Sequence, residues 1–185
     1  MQIENNILVE ELLTITEQSI VSAKKFKTLS VHQLNKKQNP SAWSVLECIE
    51  HLNLYGDFYL PEIERRILSQ ETQRSSKVFK SGLIGGYFAN LMQVKNGKLK
   101  KMQSPKDKNP NNSILTLTTI DRFVKQAEML KSLLLQSKGL NLTKTKTSIS
   151  LTKYIKLRLG DTFRFFIYHI ERHMLQAEQA LKAVA

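Results

Sequence analysis

The sequence is poor in residues that cross-link a chain or interrupt helices: its 185 residues include one cysteine, four prolines and seven glycines. The single cysteine, Cys48, excludes a disulfide framework and a zinc cluster built from thiolates. The first residues lack a basic stretch followed by an apolar core, and no apolar run approaches the roughly 20 residues that span a bilayer. We therefore expect a cytoplasmic protein without a membrane partner.

The scarce glycines and prolines fall mostly between segments of helical periodicity, which favours a mainly helical fold. Apolar residues recur at spacings of three and four in four long segments: 4–27, 44–69, 118–138 and 162–181. Ser44 and Glu47 form a capping-box pattern at the second segment, and Asp161 or Thr162 is expected to cap the last. Residues 1–185 should form one all-α domain, a four-helix bundle with long crossover connections.

Two of the connections are long. Residues 70–113 are basic and turn-rich, and we predict a crossover that carries one short helix. Residues 140–159 are rich in Thr, Ser and Lys with some alternation, but one isolated strand would have no partner, so we predict a loop. Within the second helix, Pro61 should cause a kink or a restart near Leu60.

The net charge of +12 is concentrated in the middle of the chain, where residues 71–160 carry 18 Lys and Arg against 4 Asp and Glu. Such a segment could be a solvated lysine-rich surface, or it could attract a polyanion, an anionic membrane or an anionic small molecule. No helix-turn-helix, zinc finger or aromatic–basic stacking pattern accompanies the charge. The sequence therefore gives little support to a nucleic-acid partner.

Three histidines are the candidate functional residues. His169 and His173 lie four positions apart on the last predicted helix, on one side of it and at the flank of its apolar stripe. Such a pair either holds a metal ion or consists of two hydrogen-bonded polar residues at the edge of the core. His51 on the second predicted helix could complete a three-histidine site with an open position. Spacing alone leaves these alternatives open.

Two other kinds of metal site are excluded by spacing. A zinc protease helix needs HExxH, with a glutamate directly after the first histidine, whereas Glu171 follows His169 by two positions. A ferritin-like di-iron centre needs paired Glu-x-x-His motifs, and no histidine here has a glutamate three residues before it. A single ion held by three histidines is the metal site that remains.

Two stretches resemble motifs of the DinB-like superfamily. Residues 39–51, with Trp43, Ser44, Glu47 and His51, resemble its WSxxExxxH stretch. Residues 159–176 resemble its closing helix, in which the pattern is HxxRHxxQ. The resemblance covers essentially the whole chain. It implies an up-down-down-up four-helix bundle in which His51, His169 and His173 bind a divalent metal, commonly zinc or nickel.

The resemblance implies a metalloenzyme but no single reaction, because characterised relatives include thiol-dependent transferases and isomerases and others are assigned as hydrolases. Our leading hypothesis is a metal-dependent transferase that joins a low-molecular-weight thiol to a small-molecule substrate. The alternatives are a metal-dependent hydrolase and a non-enzymatic basic module that binds nucleic acid or another polyanion. Relatives often form dimers, so a homodimer is a further expectation.

Two further side chains are candidates for lining the cavity. Tyr55 lies one turn after His51, and Arg172 precedes His173. Each also has a structural interpretation, packing for Tyr55 and a solvent-facing charge for Arg172. Cys48 is predicted to be a small core residue rather than a nucleophile.

Overall fold

The computed structural model describes residues 1–69, 76–95, 97, 99 and 102–184. The helices are α1 (Asn5–Phe26), α2 (Val31–Asn35), α3 (Val45–Leu68), α4 (Leu83–Met92), α5 (Leu117–Ser137) and α6 (Leu159–Lys182). The strands are β1 (Gln2–Glu4), β2 (Val78–Lys80), β3 (Lys146–Ile149) and β4 (Thr152–Arg158), with a 3-10 turn at Lys106–Lys108. The mostly helical fold is as predicted, and its described strands form two small antiparallel sheets.

Helices α1, α3, α5 and α6 form the four-helix bundle, and each of them packs against two of the others. Helix α1 is antiparallel to α5, because Glu10 near the start of α1 pairs with Lys138 just after the end of α5. Helix α3 is antiparallel to α6, because Tyr59 in the second half of α3 packs against Phe166 in the first half of α6.

The other two neighbouring pairs are parallel. The amide of Asn53 in the first half of α3 donates to the carbonyl of Thr119 near the start of α5, at 3.0 Å. Ser22 near the end of α1 donates to Glu178 near the end of α6, at 3.2 Å. The bundle is therefore up-down-down-up, the order that the resemblance implies.

The start of α3 is fixed by the predicted capping box. The Ser44 hydroxyl accepts from the N–H of Glu47 at 3.2 Å, and the Glu47 carboxylate accepts from the N–H of Ser44 at 2.8 Å. Helix α3 then runs through Pro61 to Leu68 as one element, so it does not restart near Leu60. The cap fixes the start of α3, and His51 lies one turn after Glu47 on the same helix.

The prediction of a loop over residues 140–159 is wrong, because this segment contains the hairpin of β3 and β4. The strand does have a partner, which the chain supplies directly after it, with Thr147 opposite Leu157. Thr147, Ile149 and Leu157 are buried on the face toward the bundle, which is the period-2 pattern of a half-buried hairpin. Lysines at its exposed positions weaken this pattern in the sequence.

The predicted cap of the last helix is also wrong. Helix α6 begins at Leu159, and Arg158 occupies the N-cap position without a side-chain cap. Asp161 is instead inside the first turn of α6 and fully buried, where it pairs with Arg164 at 3.2 Å. In the sequence, Asp161 before the apolar run looks like a helix cap. In the structure, the same residue is half of a buried ion pair.

The predicted crossover of residues 70–113 lies partly outside the described residues. Its described part contains strand β2, which pairs with β1, and the short helix α4, which packs on α6. Among the described residues, no helix combines the length and the apolar character that a bilayer crossing requires.

The hairpin is tied to α3 by Glu62, whose carboxylate accepts from the N–H of Ser148 at 2.8 Å and from Arg66 Nε at 3.0 Å, and pairs with Arg65. Burial alone would raise the pKa of Glu62, but these hydrogen bonds outweigh it and lower the pKa to about 2. The folded value is below the unfolded value of about 4.3, so the carboxylate stabilises the fold above that pH.

We expect Glu62→Gln to lower the free energy of unfolding by about 1–2 kcal/mol near neutral pH. This difference from the parent should shrink as the pH falls from about 4 toward 2, because the parent carboxylate then becomes protonated. Urea unfolding across this pH range measures it, with Glu64→Gln on the exposed side of α3 as the matched control. A difference that is constant with pH would contradict the assignment.

Candidate metal centre

The three predicted histidines lie together where α3 faces α6. Nε2 of His51 lies 3.1 Å from Nε2 of His169, and one ring nitrogen from each of the three histidines lies within 4.8 Å of the others. The ring centroid of His173 lies 4.5 Å from that of His51 and 4.5 Å from that of His169. All three side chains are buried, with 2%, 4% and 9% exposure for His51, His169 and His173.

This geometry fits a divalent metal ion. Zinc–nitrogen bonds are about 2.0–2.1 Å long, and a tetrahedral ion places two nitrogen ligands about 3.3 Å apart. The separation of 3.1 Å between His51 and His169 is close to that value. In addition, the buried Nδ1 atom of His173 has no hydrogen-bond partner among the described residues. A purely structural histidine cluster would normally satisfy such buried polar atoms.

The site keeps its imidazoles neutral, which is the form that binds metals. Burial lowers the pKa of His51 to about 4. Burial also lowers the pKa of His169 and of His173 well below the usual value, and the neighbouring imidazoles and Arg172 lower both further. At neutral pH the three rings therefore offer lone pairs rather than positive charges.

The tautomer of His51 is set by the crossover segment. Nδ1 of His51 lies 2.6 Å from the carbonyl oxygen of Lys108, in the 3-10 turn. In the neutral ring, Nδ1–H donates to this carbonyl, which leaves the lone pair on Nε2, the atom that faces His169. The acceptor is a backbone carbonyl, which any residue type could supply. The contact between Lys108 and His51 therefore could not be predicted from the sequence.

The turn that carries Lys108 is held against α3 by Glu47. Besides its role in the capping box, the Glu47 carboxylate accepts from the N–H of Asn112 at 2.8 Å and from Lys37 Nζ at 3.1 Å. This carboxylate is buried one turn before His51 on the same helix. Glu47 thus joins the start of α3, the loop before it and the crossover at the site, and sequence reasoning assigned it only the cap.

Aromatic rings surround the histidines. The Trp43 ring is 4.8 Å from that of His51 and 5.8 Å from that of His173. Tyr55, predicted as a lining residue, lies 5.0 Å from His51 and 4.4 Å from His169 between ring centroids. Burial raises the pKa of Tyr55 to about 12, so its hydroxyl is protonated at neutral pH.

The other predicted positions are placed as follows. Arg172 is buried rather than solvent-facing, and its charge acts on the two α6 histidines. Cys48 is fully buried, and burial raises the pKa of its thiol, which agrees with its predicted role in the core. Glu171, excluded by its spacing, is not part of the histidine cluster, and His32 is exposed.

A family model described as the DinB superfamily matches residues 21–177, a range that includes α3, most of α6 and all three histidines of the cluster. The chain has no significant match among the curated proteins or among the solved structures. The family match covers most of the 185 residues and agrees with the helical bundle and the buried histidine cluster. The chain therefore belongs to the DinB superfamily.

Proposed function

We propose that this protein is a divalent-metal-dependent enzyme that transfers a low-molecular-weight thiol to an electrophilic small molecule. His51, His169 and His173 would hold the ion, with zinc or nickel as the candidates because imidazole nitrogen suits both. The observation that carries the proposal is the convergence of three buried imidazoles, one nitrogen from each lying within 4.8 Å of the others. Three nitrogen ligands leave a coordination position for a further group, which is typical of catalytic rather than structural sites.

A bound ion would supply Lewis acidity, lowering the pKa of a thiol that coordinates it so that the thiolate persists at neutral pH. The chain's own residues supply the rest of the environment. The Lys108 carbonyl orients His51, and burial keeps all three imidazoles unprotonated. Trp43 and Tyr55 pack beside the rings and exclude water from one side of the site.

The thiol would have to come from outside the chain. Cys48 is the only cysteine, its side chain is fully buried, and it is not part of the histidine cluster. In the proposed reaction, the sulfur of the small thiol forms a bond to carbon, and the leaving group departs from that carbon with its electron pair. The thiol proton passes to solvent. Because the protein offers no reactive sulfur of its own, turnover should depend on the concentration of added thiol.

We expect the zinc- or nickel-loaded chain, prepared without a polyhistidine tag, to form a thioether from a small thiol and an aryl halide. The His51→Ala variant should lose this activity by about 100-fold or more, because removal of metal ligands exceeds the 10- to 100-fold effects of outer-sphere changes. The assay measures thioether formation and thiol consumption together across a panel of small thiols.

The matched control for this assay is His32→Ala, which replaces an exposed histidine that is not part of the cluster. This variant should retain full activity. Ester hydrolysis that needs the metal but no thiol would instead identify a hydrolase with the same three ligands. A metal-loaded chain that is inactive with every thiol of the panel would reject the transferase proposal.

A further inference from the structure

Helix α4 buries Gly85, Ala89 and Met92 and leaves three large apolar residues of its first half exposed. Gly85 and Ala89, one turn apart, are buried against α6. A Cβ atom on Gly85 would lie 2.6 Å from Cβ of Asp161, so only glycine allows this close packing. The large side chains of the opposite side are exposed: 95% for Leu83, 52% for Ile84 and 65% for Tyr87.

These three residues form what we call the α4 outer face. Single exposed apolar side chains are common on soluble proteins, but adjacent ones on one short helix mark an interaction surface. Helix α4 contains no charged residue at all, so nothing on the helix itself makes the outer face polar. A helix that is apolar all round is normally buried on all sides, whereas among the described residues Leu83, Ile84 and Tyr87 of α4 are exposed.

The outer face is displayed on a helix that is firmly attached. The N–H of Gly82, just before α4, donates to the Asp161 carboxylate at 2.7 Å. Near the other end of α4, Asn90 accepts from Arg164 at 3.2 Å. The Phe88 ring packs edge-to-face on Phe165, with 6.3 Å between centroids. Local flexibility therefore does not account for the exposure of the outer face.

Exposed lysines lie on the segment directly before α4 and on the neighbouring strand β4. Residues 76–95, which include α4, carry three lysines and no acidic residue, and residues 140–160 include four lysines, one arginine and no acidic residue. Lys77 and Lys80, on and beside β2 directly before α4, are exposed, and Lys156 on β4 is exposed as well. Strand β4 contacts α4, and Arg158 at the end of β4 donates to the carbonyl of Lys80, just before α4, at 2.6 Å.

We propose that the α4 outer face and the lysines around it form a docking surface for an anionic lipid bilayer. Leucine and isoleucine would enter the boundary between headgroups and acyl chains, tyrosine would lie at the headgroup level, and the lysines would meet anionic headgroups. The bilayer would be contacted at its surface only. This proposal departs from our sequence-based expectation of no membrane partner, which rested on the lack of an apolar run of bilayer-spanning length.

Charge favours this occupant over a second copy of the chain. Pairing two outer faces would bring two lysine-rich surfaces together, and like charges oppose such pairing. A nucleic acid would satisfy the lysines but would leave the leucine and isoleucine side chains without an apolar partner. An anionic bilayer satisfies both the charge and the apolar side chains.

The test is cosedimentation of the full chain with lipid vesicles. The parent should bind vesicles in which roughly a third of the lipid is phosphatidylserine, and it should bind pure phosphatidylcholine vesicles at least about tenfold more weakly. Added salt should weaken the binding to anionic vesicles, because screening reduces the attraction between lysines and headgroups.

Two variants separate the apolar and the ionic contributions. Leu83→Ser/Tyr87→Ser should reduce binding to the anionic vesicles by roughly tenfold or more, and Lys77→Glu/Lys80→Glu should also reduce it. The matched control is Ile114→Ser, which removes a side chain that is 99% exposed near the start of α5, at the other end of the bundle. Circular dichroism and metal content should be unchanged in these variants, because their side chains face outward.

Absence of binding to anionic vesicles would overturn the proposal, and so would equal losses in the Ile114→Ser control and the α4 variant. A parent that is dimeric and becomes monomeric in Leu83→Ser/Tyr87→Ser would assign the outer face to self-association instead. Neither result would bear on the metal site, whose two α6 histidines, His169 and His173, lie in the middle of that helix.

Discussion

Replacing His169 with alanine is expected to lower the affinity of the chain for zinc or nickel by at least about 100-fold. The side chain supplies one of three nitrogens that lie within 4.8 Å of one another, and its removal leaves two imidazoles and a buried gap. His51→Ala should have a similar effect, since the Nε2 atoms of the two residues are 3.1 Å apart. The parent should bind about one ion per chain.

The single tryptophan allows this affinity to be measured directly. Trp43 is the only tryptophan of the chain, and its ring lies 4.8 Å from that of His51. Nickel bound at the cluster should therefore quench the tryptophan fluorescence, and titration gives the dissociation constant. Elemental analysis of protein purified without a polyhistidine tag checks the stoichiometry.

His32→Ala is the control for the metal titration, because it removes an exposed histidine and should leave the affinity unchanged. Metal that stays bound at the parent stoichiometry in both His51→Ala and His169→Ala would remove the basis for the proposed function. The cluster would then be a structural feature of the interface between α3 and α6.

The candidate site could be predicted from side-chain types, but its surroundings could not. The spacing of His169 and His173 predicts that both lie on one side of α6. It left His51 as only one possible third ligand, because periodicity does not determine which faces of two helices meet, and the family motifs then favoured it. The Lys108 carbonyl, 2.6 Å from His51, is a backbone group in an irregular segment. Any residue type could supply it, so no sequence pattern marks it.

The fold was predictable where one helix face is apolar and where capping residues mark an end. The hairpin of β3 and β4 was missed because its buried residues, such as Thr147 and Leu157, alternate with lysines and threonines that suit a loop equally well. The orientation of α4 also could not be predicted from the sequence, because the helix has apolar residues on all sides. Close packing at Gly85, which depends on the tertiary structure, decides which side faces α6.

The buried pair of Asp161 and Arg164 connects the crossover to α6, and its loss should have the largest effect on stability. The Asp161 carboxylate accepts from the Ser81 hydroxyl at 2.5 Å, from the Gly82 N–H at 2.7 Å and from Arg164 Nη1 at 3.2 Å. The side chain of Asp161 is fully buried, and that of Arg164 is only 4% exposed. Nε of Arg164 already lacks a hydrogen-bond partner among the described residues.

We expect Asp161→Ala to lower the free energy of unfolding by about 3–5 kcal/mol, because it leaves the guanidinium of Arg164 buried without a counter-charge. That is a large fraction of the roughly 5–15 kcal/mol that stabilises a typical domain. Asp121→Ala is the matched control, since Asp121 pairs with Lys27 at the surface and its removal should cost less than about 1 kcal/mol. Urea unfolding monitored by circular dichroism measures both variants.

A double variant separates the buried charge from the lost hydrogen bonds. Asp161→Ala/Arg164→Met removes the guanidinium together with the carboxylate, so it should recover part of the stability that Asp161→Ala loses. This comparison also applies if Asp161→Ala is too unstable to purify, because the double variant should then fold where the single variant does not. If Asp161→Ala costs no more than Asp121→Ala, or if the double variant is the less stable of the two, the uncompensated charge of Arg164 is not the cause. The anchoring of α4 on α6 would then rest on the packing of Gly85, Ala89 and Phe88 rather than on the ion pair.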